Sequence, residues 1–365
     1  MPAKIPATVV TGFLGAGKTT LVRHLLTHAH GRRIALIVNE FGELGVDGEI
    51  LRSCGIEGCS DDDVVELANG CICCTVAEDF LPAMTALLDR PNPPEHIVIE
   101  TSGLALPQPL VRAFNWPEVR ARVTVDGVVT VVDGPAVAAG RFAADEAAVD
   151  AQRAADDSID HETPLSELFE DQLACADMIV VNKADLMDGG AAATAAALRA
   201  RARRGVQVIE AAMGAVDPAV LLGLGVGAES DMEARHELHH HHHHDDDDDH
   251  DDHDHEHEHG HDEFESFHVD LPEIPDPAAF QAAVSEIIAA HDLLRVKGFA
   301  AVSGKPMRLL IQAVGPRVDA HFDRPFAAGE ARATRLVVIG LAGIDRGAVS
   351  SALTAAATPE TAPAA

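Results

Sequence analysis

The chain has 365 residues, a formal net charge of −32, 47% hydrophobic residues, one Trp and no Tyr. Such a length exceeds the usual size of one hydrophobic core, so a large domain with a smaller companion is expected, its interior filled by Val, Leu, Ile and Ala. The acidity excludes nucleic-acid binding through a basic face, and no apolar run is long enough to cross a bilayer, so no membrane association is expected.

The first element is a β-branched strand at Ala7–Val10. It runs into Gly12-Phe-Leu-Gly15-Ala16-Gly17-Lys18-Thr19-Thr20, which fits the Walker A pattern, and then into an amphipathic helix at Thr19–His30. Glycines let successive backbone N–H groups converge on phosphate oxygens, and the helix N-terminus adds favourable partial charge. Lys18 is placed to reach the β- and γ-phosphates and Thr19 to ligate Mg²⁺. A phosphate loop this close to the start leaves no secretory pattern, which points to the cytoplasm.

A second strand is expected at Ile34–Val38, followed by the segment Val38–Glu49. Five of the six cysteines then fall between Cys54 and Cys74, a clustering that suggests metal chemistry rather than disulfides. Cys71-Ile-Cys73-Cys74 is its core. Thiolates are soft ligands suited to Zn²⁺, and Co²⁺ takes similar tetrahedral sites. In an extended strand Cys71 and Cys73 share a face and Cys74 points away. All three bind one ion only if the backbone turns, and two thiolates with an outside ligand stay possible. Cys54 and Cys59 either assist metal capture or stay unliganded.

Further strands are expected at Ile97–Ile99, Val128–Val132, Met178–Val181 and Val206–Ile209. The first delivers Glu100 and Gly103 to a strand end, where open α/β sheets bind ligands. The carboxylate there can hold the Mg²⁺ hydration shell or orient water, giving Lys18 and Glu100 the catalytic roles. Asn182-Lys183-Ala184-Asp185 ends another strand and matches the guanine-specificity motif, because one carboxylate can accept both N1–H and the exocyclic NH₂ of guanine. GTP, hydrolysed to GDP and phosphate, is therefore the expected nucleotide. Alternation of strands and helices predicts a doubly wound α/β domain over residues 1–225.

Residues 226–264 read as a disordered His/Asp-rich linker. It carries six consecutive histidines, His239, His240, His241, His242, His243 and His244, then Asp245–Asp249, then His250, His253, His255, His257, His259 and His261 among acids. Neutral imidazoles on one tether make a weak, unselective metal buffer. A smaller α+β domain is expected over 265–350, with strands at Phe267–Val269, Leu293–Phe299, Met307–Ala313 and Arg335–Ile339. Its helix is capped by Asp276 and Pro277. The Ala/Thr/Pro-rich end, 351–365, is expected to be disordered.

The combination of GFLGAGKTT, VNEFGELGVDGE, GCICC and NKAD, with RVKGF at Arg295–Phe299, resembles the CobW family of metal-handling P-loop GTPases over nearly the whole chain. SCGIEGCSDDD, AVGPR and FDRPF resemble the cobalamin-pathway members more than zinc-directed paralogues. The resemblance implies a GTP-dependent metallochaperone whose cargo is Co²⁺ and whose metalloenzyme client is the aerobic cobaltochelatase. It also makes Val38–Glu49 a switch, with Glu40 coupling nucleotide to metal. Rival readings are a zinc-directed chaperone or activator and a metal storage protein.

Overall fold

The computed structural model describes residues 4–29, 31–38, 64–66, 80–155, 164–230, 264–327 and 330–358. Within the N-terminal part, strands β1 (Ile5–Thr11), β2 (Ile34–Val38), β3 (Val64–Glu66), β4 (His96–Glu100), β5 (Val123–Asp133), β6 (Met178–Asn182) and β7 (Gln207–Glu210) form one sheet. Every pairing is parallel, in the order β3-β2-β4-β1-β5-β6-β7. β2, β4 and β6 are buried along their whole length, as expected for parallel strands covered on both faces. The helices are α1 (Lys18–Thr27), α2 (Leu81–Leu88), α3 (Pro107–Ala113), α4 (Pro117–Arg120), α5 (Gly134–Ala138), α6 (Glu146–Ala155), α7 (Leu165–Cys175), α8 (Ala191–Arg201) and α9 (Pro218–Leu221). α6, α7 and α8 send Val149, Phe169, Leu173 and Leu198 into a core with Ile179, Val181 and Val208 of the sheet. This is the expected doubly wound domain, with the strand ends of β1, β4, β5, β6 and β7 gathered along one edge.

The unit continues to Gly223 and resumes at Gly227, while Leu224–Val226 is counted with the C-terminal unit. The start of the expected linker is therefore folded. Val226 and Ala228 are buried, and Glu229 accepts from Thr124 Oγ1 at 2.6 Å and from the Val125 N–H at 2.9 Å. Polar anchoring to β5, rather than composition, decides that stretch.

The C-terminal unit is an antiparallel sheet of β8 (Phe264–Leu271), β9 (Arg295–Ala301), β10 (Met307–Val314), β11 (Arg317–Pro325) and β12 (Thr334–Leu341), ordered β11-β10-β9-β12-β8. α10 (Pro277–Ala290) starts at Asp276, whose side chain accepts from the Ala278 and Ala279 N–H groups. Its Phe280, Val284, Ile287 and Ile288 pack on Val269, Val296, Ile311 and Val338. The expectation of a disordered end from 351 is corrected by α11 (Arg346–Ala357). Asp345 caps it, and Val349, Leu353 and Ala357, spaced four apart, are buried in the same core. An alanine-rich sequence thus still supplies a buried stripe to that core. Among the described residues no helix is long and apolar enough to cross a membrane.

Candidate functional site

The loop between β1 and α1 takes a shape that only glycine tolerates at its key positions. Gly12, Gly15 and Gly17 have φ of 134°, 75° and 99°. A Cβ on Gly12 would lie 2.0 Å from the Val131 carbonyl oxygen, and one on Gly17 would lie 2.2 Å from Asn182 Nδ2. α1 begins at Lys18 with neither a side-chain cap nor an acidic residue in its first turn. Its first N–H groups thus face the loop as a donor set suited to an anion. Lys18 is buried, and its ammonium donates to Gly12 O at 2.8 Å and Phe13 O at 3.1 Å, inside the loop. Ala16 is buried, while Thr19 and Thr20 are half-buried on the first turn of α1.

Thr19 Oγ1 donates to Glu100 Oε1 at 2.7 Å across 81 residues of sequence. The pairing of Val10 with Glu100 in the β1–β4 register places that carboxylate beside the phosphate loop. Beyond Glu100, the buried hydroxyls of Thr101 and Ser102 have no hydrogen-bond partner among the described residues. Gly103 is packed so tightly that a Cβ would lie 2.6 Å from the Leu14 N–H nitrogen. An acid, two unsatisfied hydroxyls and a backbone cradle fit a hydrated divalent cation and a phosphate chain.

Asn182 acts as a clasp. Its Nδ2 donates to Ala16 O at 2.9 Å and its Oδ1 accepts from the Gly214 N–H at 2.9 Å, with the side chain 2% exposed. It therefore ties the phosphate loop to the loop after β7. Lys183 takes a left-handed conformation and its ammonium meets Asp133 Oδ2 at 2.6 Å. Asp185 is exposed on the next turn, as are Leu186 and, on the loop after β7, Met213. The Ala184 N–H donates to Ala211 O, joining those two loops.

A family model described as the CobW/HypB/UreG nucleotide-binding domain matches residues 6–210. The chain belongs to the CobW/HypB/UreG family. The model of the CobW C-terminal domain matches residues 264–357, so it includes α11. A protein named zinc chaperone CobW from Sinorhizobium sp is 60% identical over 353 residues, spanning 96% of this chain and 97% of that one. Its namesake from Pseudomonas aeruginosa is 55% identical over 356 residues, spanning 96% and 91%. Zinc chaperone YjiA of Escherichia coli is 30% identical over 344 residues, spanning 92% and 94%.

As a member of this family, the chain brings Gly12, Gly17, Lys18, Thr19, Glu100, Gly103 and Asn182 together at one sheet edge, with Asp185 at its rim. The cysteines Cys54, Cys59, Cys71, Cys73 and Cys74, Glu40 and the histidines from His239 to His261 lie outside the described residues. Among the described residues no three His, Cys, Asp or Glu side chains are grouped to hold a metal ion. Sequence reasoning missed Asp133 and Gly214. Asp133 was visible as a carboxylate at the end of a Val-rich run, but its partner Lys183 is 50 residues away. Gly214 carries no motif; its role rests on a backbone N–H and on a Cβ that would lie 2.6 Å from Leu21 N.

Proposed function

We propose that this protein is a GTP-hydrolysing metallochaperone that holds a dication through the Cys71-Ile-Cys73-Cys74 thiolates while GTP is bound and hands it to a metalloenzyme client. The observation that carries the nucleotide half is the Thr19–Glu100 hydrogen bond beside the phosphate loop. Lys18 neutralises phosphate charge, and Asp185 accepts from both donors of guanine. Adenine offers an acceptor where that carboxylate needs a donor, so it is rejected. Thr19 and Glu100 would hold Mg²⁺, which when bound screens the phosphate charge during hydrolysis. Glu100 also orients the attacking water through its buried carboxylate.

The coupling to metal rests on register. Val38, at the end of β2, pairs with Glu100 on one side and Glu66 on the other. Glu40 follows Val38 by two residues in the sequence and lies outside the described residues. The cysteine segment follows Glu66 in the sequence. A γ-phosphate that orders the Glu40 segment thereby biases the metal-binding geometry, and hydrolysis relaxes it.

Zn²⁺ is the favoured cargo, since relatives that match nearly the whole chain are named zinc chaperones and thiolates bind Zn²⁺ ahead of Co²⁺. Delivery of Co²⁺ to a cobaltochelatase is the competing assignment. Metal affinities in chelator-buffered Zn²⁺ and Co²⁺, with GTP·Mg²⁺ and with GDP, test both halves. Tighter binding with GTP is expected, by ~1–3 kcal/mol or more. Loss of the Co²⁺–thiolate charge-transfer band in the Cys73→Ser/Cys74→Ser double variant is expected as well. Equal affinity in the two nucleotide states would sink the switch. Co²⁺ bound more tightly than Zn²⁺ would transfer the cargo assignment to cobalt.

A further inference from the structure

We infer that His24 and His28, side by side at the C-terminal end of α1, form a two-imidazole site for a borderline dication such as Zn²⁺, Co²⁺ or Ni²⁺. Positions i and i+4 share a helix face, and here the rings stack with centroids 4.1 Å apart and an interplanar angle of 28°. Two Zn–N bonds of ~2.0–2.1 Å span at most about 4.2 Å between nitrogens. Turning the two neighbouring rings about their Cβ–Cγ bonds brings one nitrogen of each towards a common ion.

His28 has the carbonyl partner that metal-binding imidazoles usually have. His28 Nδ1 lies 2.9 Å from the His24 carbonyl oxygen, which can only accept, so Nδ1 carries the proton and Nε2 keeps its lone pair. A ligating histidine typically donates its other ring N–H to a carbonyl in this way, which fixes the tautomer. The same carbonyl accepts the His28 backbone N–H at 3.1 Å, at the helix end where the partial charge is negative and favours a cation. The His24 ring is half-buried and makes no hydrogen bond among the described residues. Burial, then the neighbouring His28, holds its pKa below the usual value, with Asp217 acting in the opposite sense. The Asp217 charge favours a cation nearby. Asp217 is fixed at the start of α9, where its Oδ1 accepts from the Ala219 N–H at 2.7 Å. Water would complete the coordination shell, consistent with the absence of a three-residue cluster among the described residues.

The His-rich tract makes bulk metal titration uninformative, so the test must resolve single histidines. Full-length protein is modified with diethyl pyrocarbonate across a chelator-buffered Zn²⁺ series, and each imidazole is followed by peptide mass spectrometry. His24 and His28 should become protected together, with one midpoint. In His24→Asn, the Zn²⁺ concentration that half-protects His28 should rise ~10²-fold or more, the advantage that linking two ligands confers. His28→Asn, at an exposed helix end, provides the reciprocal arm should the first variant fold poorly. No protection, or a midpoint at either ring unchanged by loss of the other, would overturn the site. Nothing in this experiment depends on nucleotide or on the cysteines, so it can fail while the proposed function stands.

Discussion

Replacing Asn182 by alanine removes both arms of the clasp between the phosphate loop and the loop after β7. The Ala16 carbonyl and the Gly214 N–H each lose a partner 2.9 Å away in a site only 2% exposed. A buried backbone group left unsatisfied costs ~1–3 kcal/mol. Entry of a water into the vacated volume would offset part of that, so the pair should destabilise the unit by ~2–4 kcal/mol. The single Trp, Trp116, sits at the N-cap position before α4 in this unit, so its fluorescence during urea unfolding reports the unit's stability. Transmission of ~2 kcal/mol to the phosphate loop would weaken nucleotide binding ~30-fold. GTP and GDP should lose affinity by the same factor, because neither arm approaches a group specific to the third phosphate. An unfolding midpoint and nucleotide affinities equal to those of the parent would refute the clasp. Loss confined to GTP would show instead that Asn182 works at the switch.

Asp185→Asn should lower the preference for GTP over ATP by ~10²-fold or more while leaving phosphate contacts intact, as read by competitive displacement of a fluorescent GTP analogue. Leu353→Ala, at a fully buried position of α11, should cost ~2–5 kcal/mol, measured as faster amide hydrogen exchange across β8–β12. Unchanged exchange there would mean that α11 does not support the sheet. Glu330 is held down to about 2, first by its hydrogen bond from Arg324 and then by the Ala327 N–H. Its folded pKa is depressed, so its contribution to stability is present above its ordinary value of 4.5 and is lost as pH falls towards 2. Glu330→Gln should remove that slope from acid unfolding of the C-terminal unit, and an identical acid profile would contradict the pairing.

Those parts of the protein whose chemistry is local could be read from neighbouring residues alone. The phosphate loop was legible because its backbone shape demands glycine at Gly12 and Gly17, and the following helix because Leu21, Val22, Leu25 and Leu26 keep a helical period. The strands β1, β2, β4, β5, β6 and β7 were legible as well, since parallel strands covered on both faces read as near-continuous apolar runs. Asp276 and Pro277 marked the start of α10 by capping chemistry that needs only neighbouring residues. Among the strands and the C-terminal helix, β3, β11 and α11 escaped. β3 has only three residues, too few to show a period. β11 is exposed along most of its length and is held by backbone pairing with β10, which leaves little hydrophobic alternation to read. α11 buries Val349, Leu353 and Ala357 from an alanine-rich stretch, a stripe whose value depends on the core it meets. Only the tertiary structure decided that Thr19 meets Glu100, that Lys183 meets Asp133, and that Asn182 joins two loops rather than facing solvent. Those contacts arise where parallel strands deliver their ends to a common edge. The strand order that creates this edge is set by packing between residues far apart in the chain, and no short stretch of sequence encodes it.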